Sequence, residues 1–251
     1  MRMDEKMMDE IVRGQLALDY NCSMEEIEGG GNIISLNQLN EGRRIYDSDG
    51  EFFKMICLPG KALVSCDERF LPWAKENILK KDASWLLEYP FLKTLDQELG
   101  HYGQGIDDLH EAFLPDLKVR ESKESSSLKW FEEEEILQFK DDPRFQEAFA
   151  FDEHHPDVLG VAACDGGEIM GMAGASRDGE RIWQIGIDVV PKYRGRGLGA
   201  LLTKALKEEV LRRGAVPFYG TAPSHIISKN VAIRAGFAPA WSEIYTKPIT
   251  K

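Results

Sequence analysis

The chain has 251 residues, 31 Lys and Arg against 43 Asp and Glu, and a formal net charge of −12. That length suits two domains with ample buried core, and the acidic balance argues against nucleic acid as the main partner, since neutralising phosphates needs basic surface. No run approaches the roughly 18 apolar residues of a membrane span, and the stretch Met1-Arg-Met-Asp-Glu5 lacks a signal peptide's apolar region, so a cytoplasmic protein with no membrane partner is expected.

Residues 1–115 read as an N-terminal α+β domain. A helix is predicted over Glu5–Asn21, and a short strand over Asn32–Leu36 follows the turn-forming Gly29-Gly-Gly31. Phe52–Cys57 and Ala62–Cys66, joined by Leu58-Pro-Gly-Lys61, have the pattern of a hairpin. Helices are expected over Leu71–Lys80 and Ser84–Gly100, the second interrupted near Pro90. A hairpin followed by helices is compatible with a degenerate copy of the C-terminal fold. No residue-level repeat and no second Gly-rich turn supports that, so a domain packed on the second one is the simpler reading. Cys22, Cys57, Cys66 and Cys164 have no metal-ligand spacing, and reduced packing cysteines with no metal are expected. Pro115 and the polar stretch Glu121–Ser127 mark the domain boundary.

From residue 116 the predicted elements come in quick succession. Leu117–Arg120 reads as a strand. Ser127 is placed to cap a helix over Leu128–Phe139, with Phe131, Ile136, Leu137 and Phe139 at roughly helical spacing, and Arg144–Phe151 reads as a second helix. Val158–Cys164 and Ile169–Ala175 flank the hairpin turn Asp165-Gly-Gly. A strand over Arg181–Val190 precedes a helix over Leu198–Arg213, which ends at Gly214. Val216–Thr221 is the next strand, Ser224–Ala235 a helix closed by Gly236, and Ala240–Thr246 a last strand.

The junction between the Arg181–Val190 strand and its helix is the most informative stretch. An apolar run stops at Pro191, and Arg194-Gly-Arg-Gly-Leu-Gly199 follows. Glycines let a backbone approach a ligand closely, the first helical turn offers unpaired N–H groups, and the helix dipole favours an anion. Arg194 and Arg196 add donors suited to phosphate, so the turn reads as a pyrophosphate site. The Walker spacing is absent. Gly195-x-Gly197-x-x-Ala200 fits a loose dinucleotide fingerprint, but Ala215–Pro223 carries no carboxylate to complete it.

Arg194-x-x-Gly197-x-Gly199, after a strand ending Ile187-Asp-Val189, resembles the acetyl-coenzyme A signature of the GNAT superfamily of N-acetyltransferases. The Gly236-Phe237 ending after the last helix resembles that superfamily too. The resemblance implies a mixed, mostly antiparallel sheet flanked by helices, an α/β (α+β) fold, over 116–251. It implies acetyl-coenzyme A as co-substrate. The backbone of Ile187, Asp188 and Val189 would pair with the pantetheine arm. Arg194, Gly195, Arg196, Gly197, Leu198, Gly199 and Ala200 would surround the phosphates. His225 stands where relatives often carry a coenzyme-binding Asn. The proton-donor Tyr of many relatives is replaced by Ala232, and their catalytic Glu by Trp183 and Gln184.

The implied reaction is acetyl transfer to an amine. That needs a base, donors for the oxyanion and an acid for the leaving thiolate. His155, one of the group Asp152–His155, is the natural titrating base, with Asp188, Asp178 and Glu180 as other candidates; Tyr245, then Ser228, are candidate acids. The run Glu132–Glu135 with Asp141-Asp142 falls where the family shapes its acceptor groove and would attract a cationic amine. The expected partner is a small-molecule amine acceptor, and the expected state a monomer or homodimer. A coenzyme A-binding regulatory module without catalysis, and a protein N-terminal or lysine acetyltransferase, are the alternatives. Only Ala238–Lys251 follow the Gly-Phe, enough for one strand, so the N-terminal hairpin is expected to cover or extend that sheet edge.

Overall fold

The computed structural model describes residues 3–45, 52–118 and 128–249. In chain order its first elements are α1 (Glu5–Asp19), α2 (Met24–Glu28), β1 (Ile33–Leu36), β2 (Phe53–Leu58), β3 (Lys61–Cys66), α3 (Leu71–Asn77), α4 (Tyr89–Gly100) and β4 (Gln104–Pro115). Then come β5 (Leu128–Glu132), α5 (Glu133–Ile136), β6 (Asp157–Asp165), β7 (Glu168–Arg177), β8 (Ile182–Val189), α6 (Leu198–Arg212), β9 (Val216–Thr221), α7 (Ile226–Arg234) and β10 (Phe237–Pro248). The chain forms two compact units, Met1–Val12 with Phe113–Ala238, and Arg13–Ala112 with Pro239–Lys251.

In the unit holding the Gly-rich turn the strands run in the order β9-β8-β7-β6-β5. Only the β8–β9 pair among these is parallel. Alternation puts Ala173, Ala175 and Ile185 on one face, where they pack against Leu202, Leu206 and Val210 of α6. The other face carries Met172 under Phe131, Ile136, Phe139, Phe145 and Phe149. In the second unit the order is β1-β3-β2-β10-β4, over a core that includes Phe53, Met55, Val64, Phe70, Leu95, Leu99 and Ile244. The hairpin strand β2 pairs antiparallel with β10, from Ser242 opposite Cys57 to Tyr245 opposite Lys54.

Several local expectations change. Leu117 and Lys118 lie in a turn after β4 instead of starting a strand; Val119, Arg120 and Ser127 fall outside the described residues. Residues 128–132 form β5, not the first turn of a helix. Paired to β6 with Phe131 opposite Gly160, this strand buries Phe131 while Leu137, assigned to the same helical stripe, is 64% exposed. The helix begins only at Glu133, where Glu132 and Glu135 form a capping box. Residues 144–151 form turns, not a helix, because their backbone is pressed onto the sheet. Phe149 N–H bonds to the Phe145 carbonyl, and both rings are buried in the cluster on this face. The interruption expected near Pro90 is there: a 3-10 turn over Ala83–Trp85 ends before α4, and Pro90 lies in the first turn of that helix, where its missing N–H costs nothing. The long strand β4 escapes sequence patterning because polar Gln104, Asp107, Asp108, His110 and Glu111 break its apolar alternation.

Candidate active site

β8 ends at Val189, and a short 3-10 turn over Pro191–Tyr193 leads into the Gly-rich turn. Gly195 (φ 79°) and Gly197 (φ 80°) take left-handed conformations that side chains disfavour. Gly197 caps α6 without a side chain, so no side-chain cap occupies the first-turn amides of Leu198, Gly199 and Ala200. Those amides head a fifteen-residue helix, whose dipole favours an anion there. A Cβ on the buried Gly199 would lie 3.3 Å from Val231 of α7, so that glycine lets the two helices meet beside the turn.

The surrounding cations are braced. Arg194 donates its Nε–H to the Val189 carbonyl at 3.0 Å, and the Arg196 guanidinium lies 5.3 Å over the Tyr193 ring. The Lys192 ammonium and the Tyr193 hydroxyl both bond to Glu168. Those two bonds hold the Glu168 carboxyl below its usual range, and the bond to Glu168 raises the Lys192 ammonium. The exposed turn therefore meets an anion with open amides and positioned positive charge.

β8 and β9 pair only at Ile182–Val216, Trp183–Pro217 and Gln184–Phe218. On its other edge β8 stays paired to β7 as far as Val189, opposite Gly171. From Ile185 to Val189 the edge toward β9 therefore has no strand partner among the described residues. A chain carrying amide groups can complete it. Tyr219, the first β9 residue past the paired stretch, marks where the strands part. Its hydroxyl lies 2.8 Å from Ser228 Oγ on α7.

On the opposite face, Gly160, Gly174 and Gly186 stand side by side across β6, β7 and β8. A Cβ at Gly174 or Gly186 would come within 2.0 Å of the Ala148 or Glu147 carbonyl oxygen, and one at Gly160 within 2.8 Å of the Phe149 ring. The segment Glu147-Ala148-Phe149 thus lies flat on a glycine stripe. Asp188 fastens it, accepting the backbone N–H of Glu147 at 2.8 Å and of Ala148 at 3.0 Å.

The residues singled out from sequence separate. Ile187, Asp188 and Val189, half-buried, and Arg194–Ala200 converge on the strand end and turn, and exposed His225 stands just before α7. His155 lies in the loop before β6, its Nδ1 3.6 Å from Asp152. Asp157, buried beside that loop, accepts the Phe151 N–H at 2.8 Å and secures a residue with a left-handed φ of 51°; burial pushes its carboxyl up. Tyr245 belongs to the other unit, on β10, with its ring stacked 6.4 Å from His110. Glu132 of the acidic run is bound to Arg213 at the end of α6, and that bond holds its carboxyl down. Glu133 and Glu134 line a cavity of about 980 Å³ that also involves Asp157, Arg177 and Trp183. Trp183 lies six residues before Val189, about 20 Å of strand, so this cavity is separate from the Gly-rich turn. Among the described residues no cluster of His, Cys, Asp and Glu could hold a metal ion.

Residues 119–237 match the model of the acetyltransferase (GNAT) family. This segment is a GNAT domain. Its chemistry is acyl transfer, for which the family uses acetyl-coenzyme A as co-substrate. The open edge of β8 and the free first-turn amides of α6 suit that coenzyme's pantetheine arm and pyrophosphate. No curated protein matches the chain. Among solved structures it is similar to a GCN5-related N-acetyltransferase-like protein from Streptococcus suis, at 14% identity and a TM-score of 0.49, covering 96% of this chain and 98% of that one. It is similar to a GNAT-family acetyltransferase from Novosphingobium aromaticivorans at 18% identity and TM-score 0.44, over 59% and 69% of the two chains. A GCN5-related N-acetyltransferase from Kribbella flavida aligns at 13% identity and TM-score 0.45, over 62% and 64%. No described helix is long and apolar enough to cross a membrane.

Two features of the GNAT domain escaped the sequence reading, Tyr219 at the strand fork and Glu147 on the glycine stripe. For Glu147 the three mid-strand glycines were the available signal, since glycine inside a strand often marks a close backbone approach.

Proposed function

We propose that the chain transfers the acetyl group of acetyl-coenzyme A to the amine of a small, cationic acceptor. The parting of β8 from β9 above an uncapped, Gly-rich helix start carries this reading. The backbone of Ile187–Val189 pairs with the pantetheine arm. Gly195–Ala200 hold the pyrophosphate between Arg194 and Arg196, and His225 flanks it. The thioester then lies along the open edge of β8, toward Tyr219.

Acyl transfer joins the amine nitrogen to the acetyl carbon and breaks the carbon–sulfur bond, whose electron pair leaves on sulfur. The amine proton passes to a base. His155 is the base chosen from sequence, and Glu147, whose backbone rests over Gly186, is the base favoured by position. Asp188 spends its carboxylate on two backbone N–H groups, which suits a positioning role. The exposed Glu147 carboxylate and the net charge of −12 support a cationic acceptor.

The buried Ala232, which carries no proton, favours one second reading: a coenzyme-binding module without turnover. Calorimetry with acetyl-coenzyme A, followed by thiol release over a panel of amines, separates the two. Binding with amine-dependent thiol release supports the transferase. Binding without release leaves the module, and no binding removes both.

A further inference from the structure

The fork between β8 and β9 has a closed end as well as an open one. Its last pair is Gln184 with Phe218, and past that pair the edge of β8 runs free from Ile185 to Val189 among the described residues. At the open end the first turn of α6 stands beside Val189. A Cβ on Gly199 would lie 3.8 Å from the Val189 side chain, and Arg194 bonds to the Val189 carbonyl. At the closed end stands Gln184. Trp183 and Ile185 turn into the core that holds Leu202 and Leu206 of α6, so alternation turns Gln184 to the other face, beside Gly186. Its half-buried amide reaches across to β9, where a Cβ on Gly220 would meet Nε2 at 3.4 Å. Gly220 lies two residues past Phe218, so the amide bridges the fork on the open side of its last pair.

The free edge has the length of a pantetheine arm. From Val189 to Ile185 the strand rises by about four residues, about 13 Å. The arm runs through about twelve bonds from phosphate oxygen to sulfur, as many as about four extended residues, and covers about the same 13 Å. An arm that leaves a phosphate on the amides of Leu198–Ala200 therefore brings its sulfur level with Ile185, and the acyl group continues toward Gln184. We propose that Gln184 closes the acyl channel and limits the transferred group to acetyl. This rests on the acetyl-transfer reading above and extends it to acyl length. A methyl group ends short of the amide. Each further methylene has to displace a side chain already packed on Gly220, an overpacking cost that no new contact offsets. A neutral amide suits the place, since a carboxylate there would oppose the negative charge that develops on the thioester oxygen and sulfur.

The test uses the full chain, wild type and the variants Gln184→Ala, Gln184→Ser and Gln184→Met. Each is titrated by calorimetry with free, acetyl-, propionyl- and butyryl-coenzyme A, so no acceptor is needed. Wild type should bind acetyl-coenzyme A about tenfold or more tightly than butyryl-coenzyme A, with the propionyl form between them. Gln184→Ala and Gln184→Ser shorten the side chain and should bind the butyryl form at least as tightly as the acetyl form. Gln184→Met keeps the bulk without the amide and should keep the wild-type order. Affinity for free coenzyme A should be unchanged throughout, whereas a residue that only supports the fold would weaken every ligand alike. A wild type that binds all the acyl forms equally overturns the proposal, as does a shortened variant that binds coenzyme and keeps the wild-type order. If wild type binds no coenzyme, the acetyl-transfer reading falls and the proposal falls with it; coenzyme binding with an unmoved acyl order removes the role of Gln184 alone.

Discussion

Gly186 of β8 stands directly opposite Gly174 of β7, and each leaves room for one carbonyl of the segment Glu147-Ala148. The pair sets the height of that segment above the sheet, and with it the position of Glu147 near the fork. Alanine at either site would put a Cβ 2.0 Å from a backbone oxygen, which cannot yield as a flexible side chain can. Gly186→Ala and Gly174→Ala should each destabilise by about 1–3 kcal/mol. Gly160→Ala, whose Cβ would meet a ring at 2.8 Å, should cost less. Urea midpoints at constant m-value check the ranking.

The base assignments can be ordered by substitution. Glu147→Gln should lower kcat by tenfold or more and leave coenzyme affinity intact, as expected for a group that acts on the acceptor's proton. Asp188→Asn keeps one acceptor oxygen for the two N–H groups of residues 147 and 148, so its main effect should be a loss of stability of about 1 kcal/mol. Wild-type turnover in Glu147→Gln alongside a large loss in His155→Ala would return the base to His155.

Much of the GNAT domain was legible from the turn onward. Gly and Pro punctuate it sharply, and its strands and helices alternate with clear periods. β9 spans the expected Val216–Thr221, while β6, β7, β8 and α6 shift by one or two residues at their ends. Legibility failed where tertiary contact outweighs pattern. Phe145 and Phe149 have helical spacing, yet the stripe of Gly160, Gly174 and Gly186 flattens their backbone. Phe131 looked helical beside Ile136, yet pairing with β6 made its segment a strand. Tyr219 carried no motif at all, because its placement depends on where two strands stop pairing.

At the phosphate turn, Gly197→Asp places a side chain at a φ of 80° and a negative charge at the head of α6. Affinity for acetyl-coenzyme A should fall by more than tenfold, about 1.4 kcal/mol, in calorimetry. An unchanged dissociation constant would show that the pyrophosphate does not lie on these amides.

Lys207 of α6 is 4% exposed, with its ammonium 3.2 Å from the Gly236 carbonyl and 5.6 Å over the Phe237 ring. Burial lowers its basicity. The folded state therefore releases this proton more readily than the unfolded chain. Stability should rise with pH from the depressed folded value up to the ordinary lysine value of 10.5. The Gly236 carbonyl also accepts the Asp116 N–H at 2.9 Å, so removing the ammonium does not orphan it. Lys207→Met should match or exceed wild-type stability at neutral pH and lose that alkaline rise. Denaturant unfolding at several pH values reads both; a variant several kcal/mol less stable would contradict the argument.

The last strand ties the N-terminal segment to the fold of the chain's end. Ser242–Tyr245 pair with Lys54–Cys57 of the hairpin, Ile244 is buried among Phe53, Met55 and Phe70, and the Thr246 hydroxyl both donates to the Phe53 carbonyl and accepts its N–H. Removing residues 1–115 would strip β10 of its β2 partner and expose Ile244, leaving an apolar open strand edge of the kind that aggregates. The fragment 116–251 should therefore be insoluble or unfolded. A monomeric 116–251 fragment that melts cooperatively and binds acetyl-coenzyme A as tightly as the full chain would refute this and show that the GNAT domain folds without its hairpin.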